Sequence, residues 1–579
     1  MCDSNKNFQN HLIMKSFYKI VAATVLMLFA VQCEVIDSDL LNDPNAVTPE
    51  NVDADFLLNN IQLQFVAPTT NESGVTTVEG VYSGAAEKGG ELTRYRRLFG
   101  STYASAYNPQ NLDAIHETAY AGVLIDVQNL IPIAQENNQF FHIGMAQFFQ
   151  AYTLITMVDM FGDMPYSEAL DPSVFNPALD DDASIYAAAL DILDTAIGNF
   201  QNEERQSFPS DLYYPQFTGQ NKVDAWVRAA NTLKLKAYLN MRHVDAAAAT
   251  AGINEVMSDP VGPIVDPSQD FTFEYSTNAT NPDSRHPTFQ NNYLNGANDY
   301  IGVGFLHMLV NNKEDADPRI RYYVYRQTTL NSTNPAEWPC INANPPTHYT
   351  ANDPFCQIEN GDGYWGQNHL NTEGIPPDQF LRTAFGIYPV GGEFDNSGGV
   401  DVAPELGYQG AGIRPILMSS FTHFMLAEAA LTLDGVNLDP QALLNDAITL
   451  SITTVADFGA DRVAALEAGA FAPTDATIQA YLDEVNAAYG ADPLRTIAVE
   501  YYLAAFPNGL EAYNLLRRTG YPAREDGLQP AQNAEPGNFY RTFLYPASLE
   551  SRNSNVSTKP SNLVRTFWDT RGEDTEFNF

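Results

Sequence analysis

The chain has 579 residues, 44% of them hydrophobic and 17% charged, so it can bury a large core and is not a disordered polypeptide. Asp and Glu number 71 against 30 Lys and Arg, which gives a net charge of −41. This charge excludes nucleic acid as a partner, because phosphate backbones are bound by basic surfaces. It also favours a neutral ligand over a polyanion.

The amino terminus has the pattern of a secretion signal. Two lysines precede an apolar run over residues 20–31, which is too short to span a bilayer and ends just before Cys33. This arrangement resembles a bacterial lipoprotein signal, with Met14 as the true start and residues 1–32 removed. The resemblance implies that Cys33 carries a lipid anchor, and the acidic residues behind it resemble the surface-export signal of Bacteroidetes lipoproteins.

Three amphipathic helices are predicted in the first half of the chain, over residues 139–161, 184–200 and 222–241. In the first, apolar side chains recur three and four positions apart from Phe141 to Ile155, and Gly162 ends the helix. Ser184 is the predicted N-cap of the second, after a run of three aspartates. Successive amphipathic helices pack on one another, so the pattern predicts a mainly α-helical fold.

No apolar run after the signal approaches the length of a membrane span. Even the helix over residues 139–161 is interrupted by Gln147, Gln150 and Asp159. The protein is therefore predicted to be anchored to the membrane by lipid rather than inserted in it.

The middle of the chain, about 260–412, differs from the rest. It is dense in Pro, Gly, Asn and aromatic residues and has little helical period beyond about 300–313. Long loops in a compact protein usually carry its binding groups. Helical periodicity then returns over residues 415–433, 441–457, 475–490 and 493–518, with a break at 507–509.

Two cysteines remain in the loop-rich middle of the chain. Cys340 and Cys356 are predicted to form a disulfide in an oxidising compartment, with two free thiols as the alternative. A zinc site is not predicted, because no CxxC or HxxxH spacing accompanies them. The nearby string from Glu359 to Asp362 lacks the spacing of an EF-hand, so no metal or cofactor is predicted and calcium there is left as the alternative.

Several strings together resemble the SusD/RagB family. The segment 157–170, MVDMFGDMPYSEAL, resembles the family signature in which a helix ends in a D-x-F-G-D-x-P-Y-x-E-A turn. Further strings follow in the family's order, LNDPN at 41–45, DADPR at 315–319, RPI at 414–416, MLAEA at 425–429, GLEAY at 509–513 and RRTGYP at 517–522. The resemblance therefore runs from about residue 40 to the end of the chain.

The resemblance implies one domain over residues 33–579, built of tetratricopeptide-like (TPR-like) helix pairs with a loop-rich half at about 260–412 that holds the ligand. It also implies a lipid-anchored protein of the outer membrane that faces the cell exterior. Family members sit as lids on a SusC-like TonB-dependent transporter and pass their ligand inward unaltered. Most bind oligosaccharides and some bind peptides, so a peptide receptor on the same scaffold stays open as an alternative.

Catalytic motifs are not found in the sequence. There is no HExxH, GxSxG, Walker or GxGxxG string, and the chain is predicted not to be an enzyme. A surface glycosidase is the less favoured alternative, since carboxylate pairs in so acidic a chain carry no weight. Glu428, on a helix with two phenylalanines, is predicted to form a structural ion pair with Arg495 or Arg518.

Ligand binding is predicted from aromatic residues in loops, because a sugar ring stacks on a flat side chain and bonds to polar groups beside it. The favoured platforms flank the predicted disulfide: Trp338, Tyr364 and Trp365. A second group follows the first helix, a region that supplies ligand contacts in SusD-like proteins: Arg94, Tyr95, Tyr103, Tyr107 and Asn108. The third group is Arg285, His286, Phe289, Asn291 and Tyr293. For each aromatic, packing beneath a long loop is the alternative.

Overall fold

The computed structural model describes residues 53–571, apart from 67–68, 71–75, 79, 99–102, 336–337, 343, 346–348, 356–357, 359, 371–380, 461, 463–470 and 530–538. The predicted signal peptide, the domain boundary at residue 33 and the lipid-carrying Cys33 lie outside these residues and stay predictions. A compact unit begins at Ala54 and contains the elements described below.

Helices dominate the described residues. The first half holds α1 (Ala54–Val66), α2 (Val81–Leu92), α3 (Tyr103–Ala106), α4 (Asp113–Glu117), a π-helical turn (Thr118–Leu124), α5 (Ile125–Glu136), α6 (Phe140–Phe161), α7 (Asp182–Gln201), α8 (Gly219–Met241) and α9 (Ala246–Ser258). The second half holds α10 (Pro287–Tyr293), α11 (Val303–Asn311), α12 (Ile320–Tyr323), α13 (Ser419–Thr432), α14 (Pro440–Ala460), α15 (Asp475–Ala491), α16 (Pro493–Ala504), α17 (Gly509–Thr519) and α18 (Ala547–Arg552).

Strands and 3-10 turns are short. The strands are β1 (Thr69–Thr70), β2 (Thr76–Val78), β3 (Phe271–Glu274), β4 (Val324–Tyr325), β5 (Ala384–Phe385) and β6 (Ile413–Leu417). The 3-10 turns are Pro109–Leu112, Pro267–Gln269, Pro339–Asn342 and Arg524–Asp526.

Each helix predicted from periodicity is present, and the segment over 493–518 is broken into α16 and α17 as expected. Two details differ. The N-cap of α7 is Asp181 rather than Ser184, because the Asp181 carboxylate accepts a hydrogen bond from the Ser184 backbone N–H at 3.2 Å. The predicted helix start at 415 is wrong, since Ile413–Leu417 pairs with β3 before α13 begins.

Helix α6 lies at the centre of the helical half. From Phe141 to Phe161 every residue is buried except Gln147 and Gln150, as expected for a helix that is apolar on nearly all sides. Gly162 ends the helix at φ +70°, a conformation that glycine adopts without steric cost.

The helices pack as consecutive pairs. Helix α6 packs against α7, α8 against α9, α13 against α14 and α15 against α16. This series of helix pairs is the TPR-like architecture that was predicted, and the mainly α-helical fold class is confirmed.

The loop-rich half is tied to the helical half by one short sheet. Strand β3 pairs antiparallel with β6, with Phe271 opposite Leu417, and β6 leads directly into α13. A second sheet within the loop-rich half joins β4 to β5, with Val324 opposite Phe385. These pairings fix the ends of long irregular segments on the helical frame.

A buried ion triplet joins three helices of the core. Glu428 on α13 accepts hydrogen bonds from the Arg518 guanidinium at 2.7 and 2.8 Å and lies 2.7 Å from Nη1 of Arg242. Burial alone raises the pKa of Glu428, but Arg242 and Arg518 hold that pKa below its usual value. The prediction of a structural ion pair with Arg518 therefore agrees with the structure, whereas Arg495 pairs with Asp526 and Glu525 instead.

Unfolding is expected to depend on pH through Asp270, whose carboxylate accepts the Ser419 backbone N–H at 2.6 Å. Burial raises the pKa of Asp270 to about 8. The folded state thus binds the proton more tightly than the unfolded chain, so stability is lost as pH rises from about 4 through 8. One pKa unit corresponds to about 1.4 kcal/mol. Between pH 5 and pH 9, the free energy of unfolding of wild type is expected to fall by more than this amount relative to that of Asp270→Asn.

Urea unfolding of both proteins at the two pH values measures this difference. Asparagine keeps an oxygen acceptor for the Ser419 N–H and does not titrate, so it isolates the proton. If the free energy of unfolding changed with pH in the same way in both proteins, Asp270 would not be the group whose proton stabilises the fold.

None of the described helices combines the length and the hydropathy of a membrane-spanning segment.

Candidate functional site

The predicted tryptophan platforms form a small core inside the loop-rich half. Trp338 and Trp365 are 0% exposed, and their ring centroids lie 5.9 Å apart. The Tyr300 ring lies 6.0 Å from that of Trp365 and is 2% exposed. The rings of Trp338 and Trp365 are therefore internal, contrary to the expectation that these platforms are displayed at the surface. The physical reason is that these large apolar side chains bury one another where no helix supplies a core.

The two indole N–H groups have no hydrogen-bond acceptor. Nε1 of Trp338 and Nε1 of Trp365 are both buried and unpartnered within the described part of the chain. Buried donors without acceptors are rare and costly, and they often mark a place where another molecule supplies the acceptor.

Tyr364 belongs to a buried charged network. Its hydroxyl donates to the Asp395 carboxylate at 2.7 Å, and the Arg326 guanidinium lies 4.5 Å above its ring. Arg326 is also paired with Asp395 at 2.7 Å. Tyr364 is 5% exposed and its ring is covered by Arg326, so it too is not an open platform.

Arginines concentrate beside the tryptophan core. The guanidinium of Arg382 lies 3.7 Å from the centroid of the Tyr300 ring, and that of Arg97 lies 5.4 Å from it. Burial lowers the pKa of Arg97 to about 10, so the group stays charged at neutral pH. Arg96 lies 4.6 Å from the Phe385 ring centroid and donates to Thr288 at 2.6 Å. In a chain of net charge −41, this is a local concentration of hydrogen-bond donors.

Arg94 and Tyr103 form a second polar network near the same place. Arg94 adopts a positive φ of 68° and is buried, and its guanidinium donates to the Gln529 carbonyl at 3.0 Å and to the Tyr103 hydroxyl at 3.3 Å. The Tyr103 hydroxyl lies 3.1 Å from Nε2 of His369. Burial and the charge of Arg94 lower the pKa of His369 well below its usual value, so the imidazole is neutral. The left-handed backbone of Arg94 marks a constrained site.

Tyr95 and Tyr293 pack in the interior. Tyr95 stacks on Tyr502 at 4.6 Å between centroids and is 0% exposed. Tyr293 stacks on Phe289 at 4.6 Å, and its hydroxyl donates to the Phe385 carbonyl at 2.7 Å. Both side chains are fully occupied by protein partners, which corrects the expectation of exposed platforms.

Four of the remaining members of the second and third groups have structural partners as well, whereas Asn291 is exposed. Asn108 is exposed and caps the 3-10 turn Pro109–Leu112. Tyr107 is buried and donates to the Glu91 carboxylate at 3.1 Å. Arg285 pairs with Asp283 at 2.6 Å, and buried His286 accepts the Thr288 N–H at 3.1 Å.

The predicted disulfide and the calcium alternative cannot be placed. The backbone of Cys340 lies in the 3-10 turn Pro339–Asn342, whereas its side chain, Cys356 and Glu359 lie outside the described residues. The disulfide stays a prediction.

A groove in the helical half was not foreseen from the sequence. A cavity of about 570 Å³ lies between α5, α6 and the segment 165–172, and Tyr120, Gln128 and Gln150 line it. A neighbouring cavity of about 260 Å³ shares Tyr120 with the first. The two features of the sequence that lie at this groove are Gln150, inside an apolar helix, and the signature segment 157–170.

One carboxylate cluster is found among the described residues. Oxygens of Asp163, Asp181 and Asp182 lie within 4.8 Å of one another. Each also accepts a backbone N–H, with Asp163 bonded to Asp182, Asp181 to Ser184 and Asp182 to Phe567. The cluster is thus explained by local capping of the turn before α7.

Comparison with known families gives two matches along the chain. Residues 44–352 match a family model described as "Starch-binding associating with outer membrane". Residues 413–571 match a model described as "Susd and RagB outer membrane lipoprotein". A search of curated proteins returns no match.

Solved structures share the fold at low sequence identity. A chitin-binding protein is 16% identical with a TM-score of 0.62, covering 90% of this chain and 100% of its own. A chitin-binding SusD homologue from Flavobacterium johnsoniae is 16% identical with a TM-score of 0.59, covering 90% and 99%. A protein of the SusD/RagB family from Bacteroides thetaiotaomicron is 15% identical with a TM-score of 0.61, covering 90% and 100%.

Proposed function

This chain belongs to the SusD/RagB family, and from that premise we propose that it captures an oligosaccharide at the outer membrane. It delivers the ligand, chemically unchanged, to a SusC-like TonB-dependent transporter. A lipid on Cys33 anchors it to the outer membrane on the side that faces the cell exterior. The observation that carries the proposal is the match of the two family models over residues 44–352 and 413–571.

The chemistry around the tryptophan core supports a sugar ligand. The indole N–H groups of Trp338 and Trp365 lack acceptors among the described residues, and the guanidinium groups of Arg97 and Arg382 lie over the neighbouring Tyr300 ring. Sugar hydroxyl and acetamido oxygens are acceptors of the kind that the two indole N–H groups need. Because the rings are internal, the ligand reaches them only when the residues above them move.

The net charge supports a neutral rather than a polyanionic glycan. At −41 the chain repels polyanions over the Debye length of about 8 Å at physiological salt, and the arginines near Tyr300 act only locally. Two similar structures are named for chitin binding, and chitin is a neutral polymer. Neutral oligosaccharides are therefore the first ligands to test.

Titration of the full chain, purified in detergent, with neutral oligosaccharides and with peptides tests the proposal. At least one neutral oligosaccharide is expected to bind, with no new reducing ends after prolonged incubation. For that ligand, Trp365→Phe is expected to weaken binding by up to about tenfold, the range of one lost hydrogen bond. Phenylalanine keeps an aromatic ring in the core and removes only the N–H donor and part of the ring.

Trp226→Phe is the matched control. Its indole N–H donates to Asp211 at 2.9 Å in the helical half, so glycan affinity should not change. Binding of peptides alone would favour a peptide receptor, and release of reducing ends would favour a glycosidase. Equal affinity in wild type and Trp365→Phe would remove the tryptophan core from the site.

A further inference from the structure

Gln150 is an unexplained polar residue in α6, a helix that is buried over most of its length. Gln147, Gln150 and Asp159 are the longer polar side chains that interrupt the apolar pattern of α6, and Gln147 accepts a hydrogen bond from Asn199 at 2.7 Å. Asp159 accepts bonds from Tyr186 at 2.8 Å and from Trp568 at 3.0 Å. The partly buried amide of Gln150 has no hydrogen-bond partner among the described residues, although it lines the 570 Å³ cavity. The amide is therefore available to a molecule that enters the cavity.

Two other polar groups in the same cavity are also available to a ligand. The Gln128 amide lies 3.5 Å from the Leu170 carbonyl, which is too long for a strong hydrogen bond. Tyr166 is half-buried, and its hydroxyl has no partner within the described part of the chain. Together with Gln150, these groups give two amides and one phenol in one cavity. Both hydrogen-bond donors and acceptors are thus available, as sugar hydroxyls require.

Apolar surface and low charge complete the lining. The cavity is also bounded by Tyr120 and by Pro132, Pro165 and Pro172. Asp171 is the one charged side chain among the described residues that line it, in a chain with 71 acidic and 30 basic residues. A cavity of about 570 Å³ falls within the range of small-molecule sites. The lining of this cavity favours a neutral ligand with apolar faces over an anion or a charged peptide, and the two charged residues that line the neighbouring cavity, Glu117 and Arg552, pair with each other at 3.7 Å.

The wall formed by the signature segment is pre-organised. The Asp180 carboxylate accepts the backbone N–H groups of Tyr166 at 2.8 Å and Ser167 at 2.9 Å. The Tyr120 hydroxyl donates to the Pro165 carbonyl at 2.6 Å, which links this wall to the π-helical turn opposite. A wall held in this way loses little entropy on binding, and π-helical turns are frequent at functional sites.

The groove continues from the first cavity into a neighbouring one. Tyr120, Pro165 and Ala169 line both the first cavity and the neighbouring cavity of about 260 Å³. Phe175 lines the second cavity and is 86% exposed, so it offers an open ring face beside the groove.

We propose that the groove between α5, α6 and the segment 165–177 is a saccharide-binding site for a neutral oligosaccharide chain, separate from the tryptophan core. Gln150, Gln128 and Tyr166 bond to hydroxyl groups, while Tyr120 and Phe175 contact the apolar faces of the sugar rings. This inference rests on the proposed function, since it assumes that the ligand is a glycan. It adds a second contact area, which favours long chains over short ones.

The test compares Gln150→Leu/Tyr166→Phe with wild type in the full chain, by titration with a neutral glycan that wild type binds. The double variant is expected to lose about tenfold in affinity for the long chain, the effect of one or two lost hydrogen bonds. The matched control is Gln135→Leu/Tyr489→Phe, which alters the same residue types outside the cavity. Thermal melting of both variants excludes loss of folding as the cause.

The outcomes separate the groove from the proposed function. Unchanged glycan affinity in the groove variant, with wild type still binding, overturns the groove alone. Loss of co-purification with the barrel transporter at unchanged glycan affinity also overturns it, because the groove is then a protein interface. If wild type binds no glycan, both the proposed function and the groove fail.

Discussion

Glu428→Ala is expected to lower the free energy of unfolding by about 3 to 5 kcal/mol, the cost of leaving buried charges without their partner. Glu428 is 0% exposed, and its carboxylate pairs with both Arg242 and Arg518, whose side chains are each 2% exposed. Removing the carboxylate leaves two buried guanidinium groups facing each other, and water cannot replace it without opening the core. Urea unfolding at pH 7, followed by circular dichroism, measures the loss.

A surface carboxylate provides the comparison. Glu525 lies 2.9 Å from Arg495, but their side chains are 61% and 32% exposed. Exposed pairs of this kind contribute about 0.2 to 1 kcal/mol, so Glu525→Ala should change stability only slightly. Equal losses in the two variants would show that the Glu428 triplet is not the structural centre inferred here.

Gly509→Ala is expected to destabilise the protein by about 3 kcal/mol, at or above the upper end of the usual cost of overpacking. A Cβ at position 509 would lie 1.8 Å from the Gly90 backbone N and 2.3 Å from the Ala86 carbonyl oxygen. These are backbone atoms of α2, so no side chain can rotate away to make room. The crossing of α2 and α17 would have to open, and the unfolding midpoint in urea reports the cost.

Gly198→Ala is the matched control for the glycine. Gly198 lies inside α7, and nothing stands within 4 Å of the position of its added Cβ. Alanine at such a helical position is expected to stabilise the protein by about 0.5 to 1 kcal/mol. The changes in stability caused by the two substitutions are therefore expected to differ in sign. A stabilising Gly509→Ala would refute the close crossing of α2 and α17.

The α2–α17 crossing also fixes the position of the arginines in the proposed binding region around Tyr300. Helix α2 ends at Leu92, and the next residues carry Arg94, Arg96 and Arg97 into the loop-rich half. The backbone of Gly302 approaches the Arg94 carbonyl so closely that an added Cβ would lie 2.0 Å from it. A shift of α2 would therefore move the arginines that flank Tyr300, so we expect Gly509→Ala to impair ligand binding as well as stability.

Helices and family were predictable because their signals are local. Apolar spacing marked α6, α7 and α8, and the signature at 157–170 identified the family whose models match the chain. Glu428 was assigned a structural ion pair because a carboxylate on an apolar helix requires a cation. The choice of Arg518 over Arg495 required the fold, since both cations lay at suitable places in the sequence.

Local sequence signals did not predict where the proposed ligand contacts lie in the fold. Trp338, Trp365 and Tyr364 stand in a loop-rich sequence that suggests exposure, yet each is at most 5% exposed because distant segments converge on them. Gln150 was noted only as an interruption of an apolar helix, and its role as a free amide in a groove appears when α5 and the segment 165–172 pack beside it.

The helix pattern, the acidic charge and the family could be predicted from the sequence, because each depends on neighbouring residues or on composition. Which aromatic rings are covered and which polar groups lack partners became known from the folded chain alone. Burial and hydrogen-bond satisfaction depend on residues hundreds of positions apart, such as Arg94 and Gln529, and no local pattern encodes such contacts.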